Sequence, residues 1–415
     1  MSKPIKNGSH LIVFIYNSFL DPLFQNILFD YLKSLSSKKK ITYHVVTFEQ
    51  SQYKINWKER EHISYQLRKN GIEWYPMKFH TGRFLVLKKA FDLIQVFFLI
   101  AKFKIKLKAK AILAFANVSA AYSYIFARIF RLKLLVYSYE PHSDFLVELG
   151  LWNVNSTKYK LLNTLETKAG IEGDYIMTGT RHMVELLEKK KAKGKVYRAP
   201  TGIDKSKFYP LDVNSIKQTL GVTDKKILFY IGKFGDLYYS HEIPRLFHIL
   251  KKEIPELFFL VITPSPISEV ESYFNQYDIQ PEDYSLLASN FTQEEINKYI
   301  NVANICLSAV PPSYSQKFRS PTKVGEYLMC GKPFITCRGV SEDDEYASTY
   351  NTGVVVNDFS IASIQTAVPA VVNLLNESPK VVQERCRKTG IAYRDKNNVL
   401  SVMDKILDEI YCKNN

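Results

Sequence analysis

The residues best suited to chemistry lie at 319–326, at the start of the stretch RSPTKVGEYLMCGKP. Ser320 has the side chain of an N-cap, and Pro321 suits a first helical position, where its missing N–H is no loss. Gly331 suits the left-handed position that closes a helix, so a helix of about ten residues is predicted between them. Lys323 falls in its first turn, where a cation opposes the positive end of the helix dipole and costs about 0.3–1 kcal/mol when exposed. A helix shaped for stability alone would carry an acid there. Free N–H groups, two hydroxyls (Ser320, Thr322) and two cations (Arg319, Lys323) at one helix start make an anion site suited to phosphate. Glu326, one turn beyond Thr322 on the same face, is placed to accept hydrogen bonds from a vicinal diol such as a ribose. A plainer reading is a capped surface helix with a solvated lysine.

Two further stretches invite the same question. The loop IGKFGDLYYS follows an apolar run; Gly232 would let a ligand approach the backbone and Lys233 offers a cation. It has neither a dinucleotide fingerprint nor a Walker loop. Both stretches would sit at strand carboxyl ends of one domain, so the economical joint reading is a nucleoside diphosphate held by Lys233, Lys323 and helix N–H groups, with its ribose on Glu326. The segment YSYEPHSDFLVELGLW (137–152) concentrates Glu140, His142, Asp144 and Glu148 in the loop after another strand, where open α/β sheets hold ligands. The triplet Asp343-Asp344-Glu345 lacks partner ligands and reads as a loop face, so no metal site is expected.

Positioning these residues requires a regular scaffold. Short buried runs at 11–16, 41–48, 72–79, 111–116, 133–138, 175–180 and 195–204 alternate with helical patterns, among them a long amphipathic one over 84–104. A polar stretch at 204–214 reads as a linker. The alternation then restarts with runs at 225–232, 257–263, 284–287, 304–310, 333–337 and 353–356, and ends in helices over 379–391 and 398–411. Such exchange of strand and helix predicts two doubly wound α/β domains with parallel sheets covered on both faces.

A chain of 415 residues exceeds what one core usually serves, and an apolar fraction of 46% argues against disorder. The net charge of +15 demands that an anionic partner be considered: nucleic acid, anionic lipid or a charged substrate. Much of it is local. Between residues 83 and 133 there are eleven lysines or arginines against one acid, Asp92. With the apolar stripe FDLIQVFFLI beside it, this block suits an anionic membrane surface, against the alternative of a core helix followed by dipole-matched lysines. Nucleic-acid binding is disfavoured, because the aromatic residues follow buried periodicity rather than interleaving with cations. Five unpaired-looking cysteines suggest a reduced compartment, the opening run LIVFIY is too short for a signal peptide core, and no stretch is long enough to span a bilayer. A cytoplasmic protein, peripheral at the cytoplasmic membrane face, is expected.

The run SPTKVGEYLMCGKPFIT, followed by GVSEDD (339–344) and NTGVVV, resembles the donor-binding core of glycosyltransferase family 4, retaining enzymes of the GT-B fold. YIGKFGDLYY resembles the first strand and loop of that family's C-terminal domain, APTGIDKSKFYP its interdomain crossing, and YEPHSDFLVELGLW its acceptor-side loop, followed by LETKAGIEGDYIMTGTRHM. The resemblance covers most of 137–360. It implies two Rossmann-like domains facing across a cleft (1–203 on the acceptor side, 204–390 for the nucleotide sugar), with C-terminal helices at the interface and 391–415 crossing back. It implies transfer of a sugar from a nucleotide-diphosphate donor, the substrate rather than a cofactor, to a glycan or lipid-linked glycan in cell-surface polysaccharide synthesis, without metal. Gly232, Lys233, Arg319, Ser320, Pro321, Thr322, Lys323 and Glu326 would bind the donor; His142, Glu140 and Lys323 would serve catalysis, the first two as contacts to acceptor or donor sugar. The leaving phosphate would help deprotonate the acceptor. Departures are clear: the first acid of the family's Glu-x7-Glu falls on Phe318, DLYYSHE lacks the second diphosphate lysine, and NSFLDPLF replaces an N-terminal glycine-rich loop. Epimerase or phosphorylase chemistry on the same fold is the alternative, and a basic membrane-surface or nucleic-acid-binding protein a more distant one.

Overall fold

Each apolar run expected to be a strand forms one in the computed structural model, which describes residues 8–138, 140–289 and 291–412; the basic opening at 1–7 and Tyr139 of the 137–152 segment lie outside these. The chain divides into two units, Met1–Ala199 with Asn397–Asn415, and Pro200–Lys396.

The first unit holds strands β1 (Ser9–Ile15), β2 (Ile41–Glu49), β3 (Ile72–Lys78), β4 (Ala111–Phe115), β5 (Lys133–Ser138), β6 (Tyr175–Thr178) and β7 (Lys195–Arg198) in the order β3-β2-β1-β4-β5-β6-β7. The second holds β8 (Lys226–Ile231), β9 (Leu257–Thr263), β10 (Tyr284–Ala288), β11 (Ile305–Leu307), β12 (Phe334–Cys337) and β13 (Gly353–Val356) in the order β10-β9-β8-β11-β12-β13. Neighbouring strands pair in parallel throughout both sheets. Parallel pairing forces crossover helices onto both faces, which is why the central strands are apolar on both sides: Leu11 to Ile15 and Ile227 to Tyr230 are all buried. Both sheets reverse direction of growth beside their first strand, where ligands collect in open α/β folds.

The helix Lys396–Tyr411 places Val399, Met403, Ile406 and Leu407 in the first unit's core, and Tyr411 Oη donates to His10 O at 2.7 Å. The helix Pro379–Arg394 packs within the second unit against Thr322–Met329, with Arg387 donating to Met329 O.

Helices appear where none was expected. Residues 137–152 are not a plain loop but contain the helix His142–Glu148, and the acidic triplet opens the helix Asp343–Thr349. The helix Ile361–Asn376, unanticipated, carries Pro369 inside it, a residue that reads as a break. Its start is capped, Ser360 Oγ accepting from Ser363 N at 3.4 Å. Among the described residues no helix is long and apolar enough to cross a membrane. All five cysteines are unbridged, four of them buried.

Candidate functional site

The second unit's site is built from the loop after β8 and the helix Thr322–Met329. The helix ends as its sequence demands. Gly331 has φ +72°, Lys332 N donates to Tyr327 O at 2.8 Å, and Gly331 N donates to Leu328 O at 3.0 Å, the paired bonds of a left-handed glycine stop. Its start differs from expectation. Pro321 occupies the cap position with φ −59° and ψ 135°, Thr322 is the first helical residue, and no side chain caps the turn. Ser320 is therefore not the N-cap; its Oγ accepts instead from Thr201 N at 3.0 Å, because the chain segment at 200–204 runs beside it and leaves a backbone donor to satisfy. The first-turn N–H groups lack a built-in acceptor.

Lys323 leans back over this turn. Its Nζ is buried without a hydrogen-bond acceptor, 3.8 Å from the Tyr238 ring centroid and 5.1 Å from that of Tyr230. Burial lowers its pKa, while Tyr238 and Glu326 pull it back up. A Cβ on Gly232, whose φ is +155°, would collide with that Nζ and stand 2.8 Å from Tyr230 Oη. The loop and the helix start thus meet at one point, and Tyr230 Oη, donating to Lys233 O at 2.5 Å, fixes the loop there. Tyr238 reports the field. Lys323 draws its phenol below the usual value against the opposing effect of burial, and Arg319 and Lys233 act in the same direction. Lys233 is exposed, its Nζ 4.0 Å from Asp236. Phe318 is buried at 1% exposure, packed against Tyr314, so the position of the missing acid belongs to the core.

One turn on, Glu326 is pushed up to about 7 by burial, with Lys323 and Arg394 opposing. Arg394 was not suggested by the sequence and organises this side. At 1% exposure, it donates to Pro321 O, to Thr201 O at 3.2 Å and to Asp343, 3.4 Å away. Asp343, expected on a loop face, is wholly buried, and burial raises it to about 7. Asp343 is drawn inward because a buried guanidinium with five donors needs an anionic partner.

In the first unit, His142 Nδ1 lies 3.2 Å from Glu140 Oε1, so these two expected residues are neighbours, with Glu140 buried and His142 half-buried. Glu166 beneath them was missed. Its carboxylate accepts from His142 N at 3.1 Å, Ser143 N at 3.1 Å, Asn117 Nδ2 at 3.3 Å and Ser143 Oγ. It serves as the acceptor for the start of helix His142–Glu148. Asn117 also donates to Glu140 O, tying the loop to β4's end. Glu166 sits in LETKAG, an ordinary amphipathic helix by pattern, and nothing local marks it as buried.

Chemically, the second unit offers buried and exposed cations, uncapped N–H groups and a carboxylate whose protonation changes near neutrality; the first offers an imidazole oriented by a carboxylate.

No protein-family model matches the chain, and no curated protein matches it in sequence. Solved structures do match its fold. The chain is similar to sucrose-phosphate synthase from Thermosynechococcus elongatus (TM-score 0.72, 13% identity, 98% of this chain and 100% of that one). It is similar to a glycosyltransferase from Rickettsia africae (0.70, 14%, 99% and 100%). It is also similar to Anabaena HepE, solved in complex with UDP-glucose (0.68, 10%, 96% and 99%). The fold is that of GT-B glycosyltransferases, two Rossmann-like units with parallel sheets.

Proposed function

We propose that the protein is a retaining glycosyltransferase of family 4 that moves a sugar from a nucleotide-diphosphate donor to a glycan or lipid-linked glycan acceptor in cell-surface polysaccharide synthesis. The observation that carries this reading is the buried, acceptor-free Lys323 Nζ between Gly232 and Tyr238 at an uncapped helix start. An unpaired ammonium in that position destabilises the empty protein, and a diphosphate is the ligand class that answers both it and the N–H groups.

In this reading Lys323, Arg319, Lys233 and the N–H groups of the first turn bind the diphosphate and stabilise the additional negative charge that develops as it leaves, an effect worth several kcal/mol when the donors are fixed in advance. Glu326 holds the ribose. His142, oriented by Glu140, contacts the acceptor or the transferred sugar. No protein nucleophile is invoked: the bond from the anomeric carbon to the diphosphate breaks, the acceptor oxygen forms the new bond on the same face, and the acceptor proton passes to the leaving phosphate. Burial of Phe318 leaves sugar hydroxyl recognition to other groups.

The test is a thermal-shift panel of UDP-, GDP-, ADP- and CMP-linked sugars on the intact protein and on Glu326→Ala. One nucleotide class raises the melting temperature of the parent and does so less in the variant. A flat response to every donor disproves the assignment.

A further inference from the structure

The helix Leu85–Lys106 has two apolar faces, and the fold uses one. At about 100° per residue, Val96, Ile100 and Phe103 share a side with Asp92, and all four are buried at 2% exposure or less. Opposite them, Leu87, Phe91, Ile94, Phe98 and Ile105 fall within an arc of about 60° and over a length of about 27 Å. These five are 68%, 54%, 52%, 67% and 73% exposed. Phe103 on the buried face already packs on His44 and Tyr75 of the sheet, so the second stripe is not explained by the sheet the helix covers. The next helix, Asn117–Phe130, is held against this one by Phe97 and Phe130, ring centroids 4.9 Å apart, and adds exposed Ile125 and Ile129.

The charge that the helix itself exposes outward is positive. Lys102 and Lys106 on the helix are exposed, as are Lys108 and Lys110 just after it in the chain and Arg131 at the end of the next helix. Arg128 and Lys133 are neutralised by Glu172 and Asp174. The block's one acid, Asp92, faces inward to His80 at 2.5 Å and gives the outer surface nothing.

We infer that this face docks on an anionic lipid bilayer, the helix lying in the interfacial plane with its stripe among the acyl chains and its lysines at the headgroups. A second copy of the chain is the poorer occupant, because a two-fold contact sets the same patch against itself and would bring these cations together. The inference is independent of the donor-site reading, and donor binding serves as its control.

Flotation of the full-length protein with phosphatidylcholine vesicles, and with vesicles also containing phosphatidylglycerol, tests it. Expected is binding to the anionic vesicles that weakens with added salt, and little binding to phosphatidylcholine alone. Joint replacement Phe91→Ser with Phe98→Ser should reduce binding at least about tenfold, and Lys102→Glu with Lys106→Glu should remove the preference for anionic lipid. Because all four positions are exposed, melting temperature should hold, as should any nucleotide-induced shift. Absence of binding to anionic vesicles, or equal binding by the Phe91/Phe98 variant, overturns the proposal. So does a dimer seen by light scattering that the same variant dissociates, which would give the face to a second copy.

Discussion

Two helices in this protein each follow a parallel strand in the chain, and their starts are treated in opposite ways. At His142 the first turn is closed by Glu166, a carboxylate from the same unit that takes up the N–H groups of His142 and Ser143. At Thr322 no side chain closes the turn, and a lysine, the wrong charge for the dipole, has its ammonium buried beside it. The first arrangement is self-sufficient and holds an imidazole still. The second is incomplete, and in the proposed function the donor's diphosphate supplies the missing anion. The difference lies in what faces the turn rather than in the turn itself.

The contrast breaks most sharply at Lys323. Lys323→Met should lower nucleotide affinity by about 100-fold, measured by calorimetry, while raising the melting temperature of the empty protein, since an unpaired buried cation is lost. A fall in both would mean the lysine is structural. Glu166→Gln should do the reverse: about 2 kcal/mol less stability in urea unfolding, because an amide offers one acceptor oxygen where two were used, with donor affinity unchanged. Gly232→Ala drives a methyl into Lys323 Nζ and Tyr230 Oη at a backbone φ of +155° that alanine rarely adopts, and should weaken nucleotide binding by about tenfold while also lowering the melting temperature.

The smallest effect is one of pH. Glu326 titrates near 7 in the folded protein, above the ordinary 4.5, so the folded state holds its proton more tightly than the unfolded one. Its contribution is present at low pH and is lost as pH rises through about 7. The melting temperature of Glu326→Gln relative to the parent should therefore climb between about pH 5 and about pH 8. Asp343, shifted the same way, keeps part of the slope in the variant.

Much of the fold was legible because strands buried on both faces must be continuous apolar runs, and those runs are visible without a structure. The glycine stop at Gly331 was equally plain. Local chemistry misled where a residue's partner is distant in the chain. Ser320 has the side chain of a cap, yet Thr201 claims its oxygen. Asp343 looked like part of a solvated acidic loop until Arg394, fifty-one residues on, was found against it. Glu166, Tyr238 and Arg394 carry no local signature at all, since burial and charge neighbours are properties of packing.

By itself the amino-acid order determined the alternation of strand and helix, the cation-rich helix start at 319–323, and the one-signed charge of residues 83–133. Those follow from side-chain type and period, which act over a few residues. Tertiary structure alone decided which groups are satisfied: it gave Ser320 to Thr201, closed the turn at His142 with Glu166, buried Lys323 without an acceptor, and left the outer stripe of the helix Leu85–Lys106 uncovered. Hydrogen bonding and desolvation are settled by whatever packs alongside, and in this chain those neighbours come from far along the sequence.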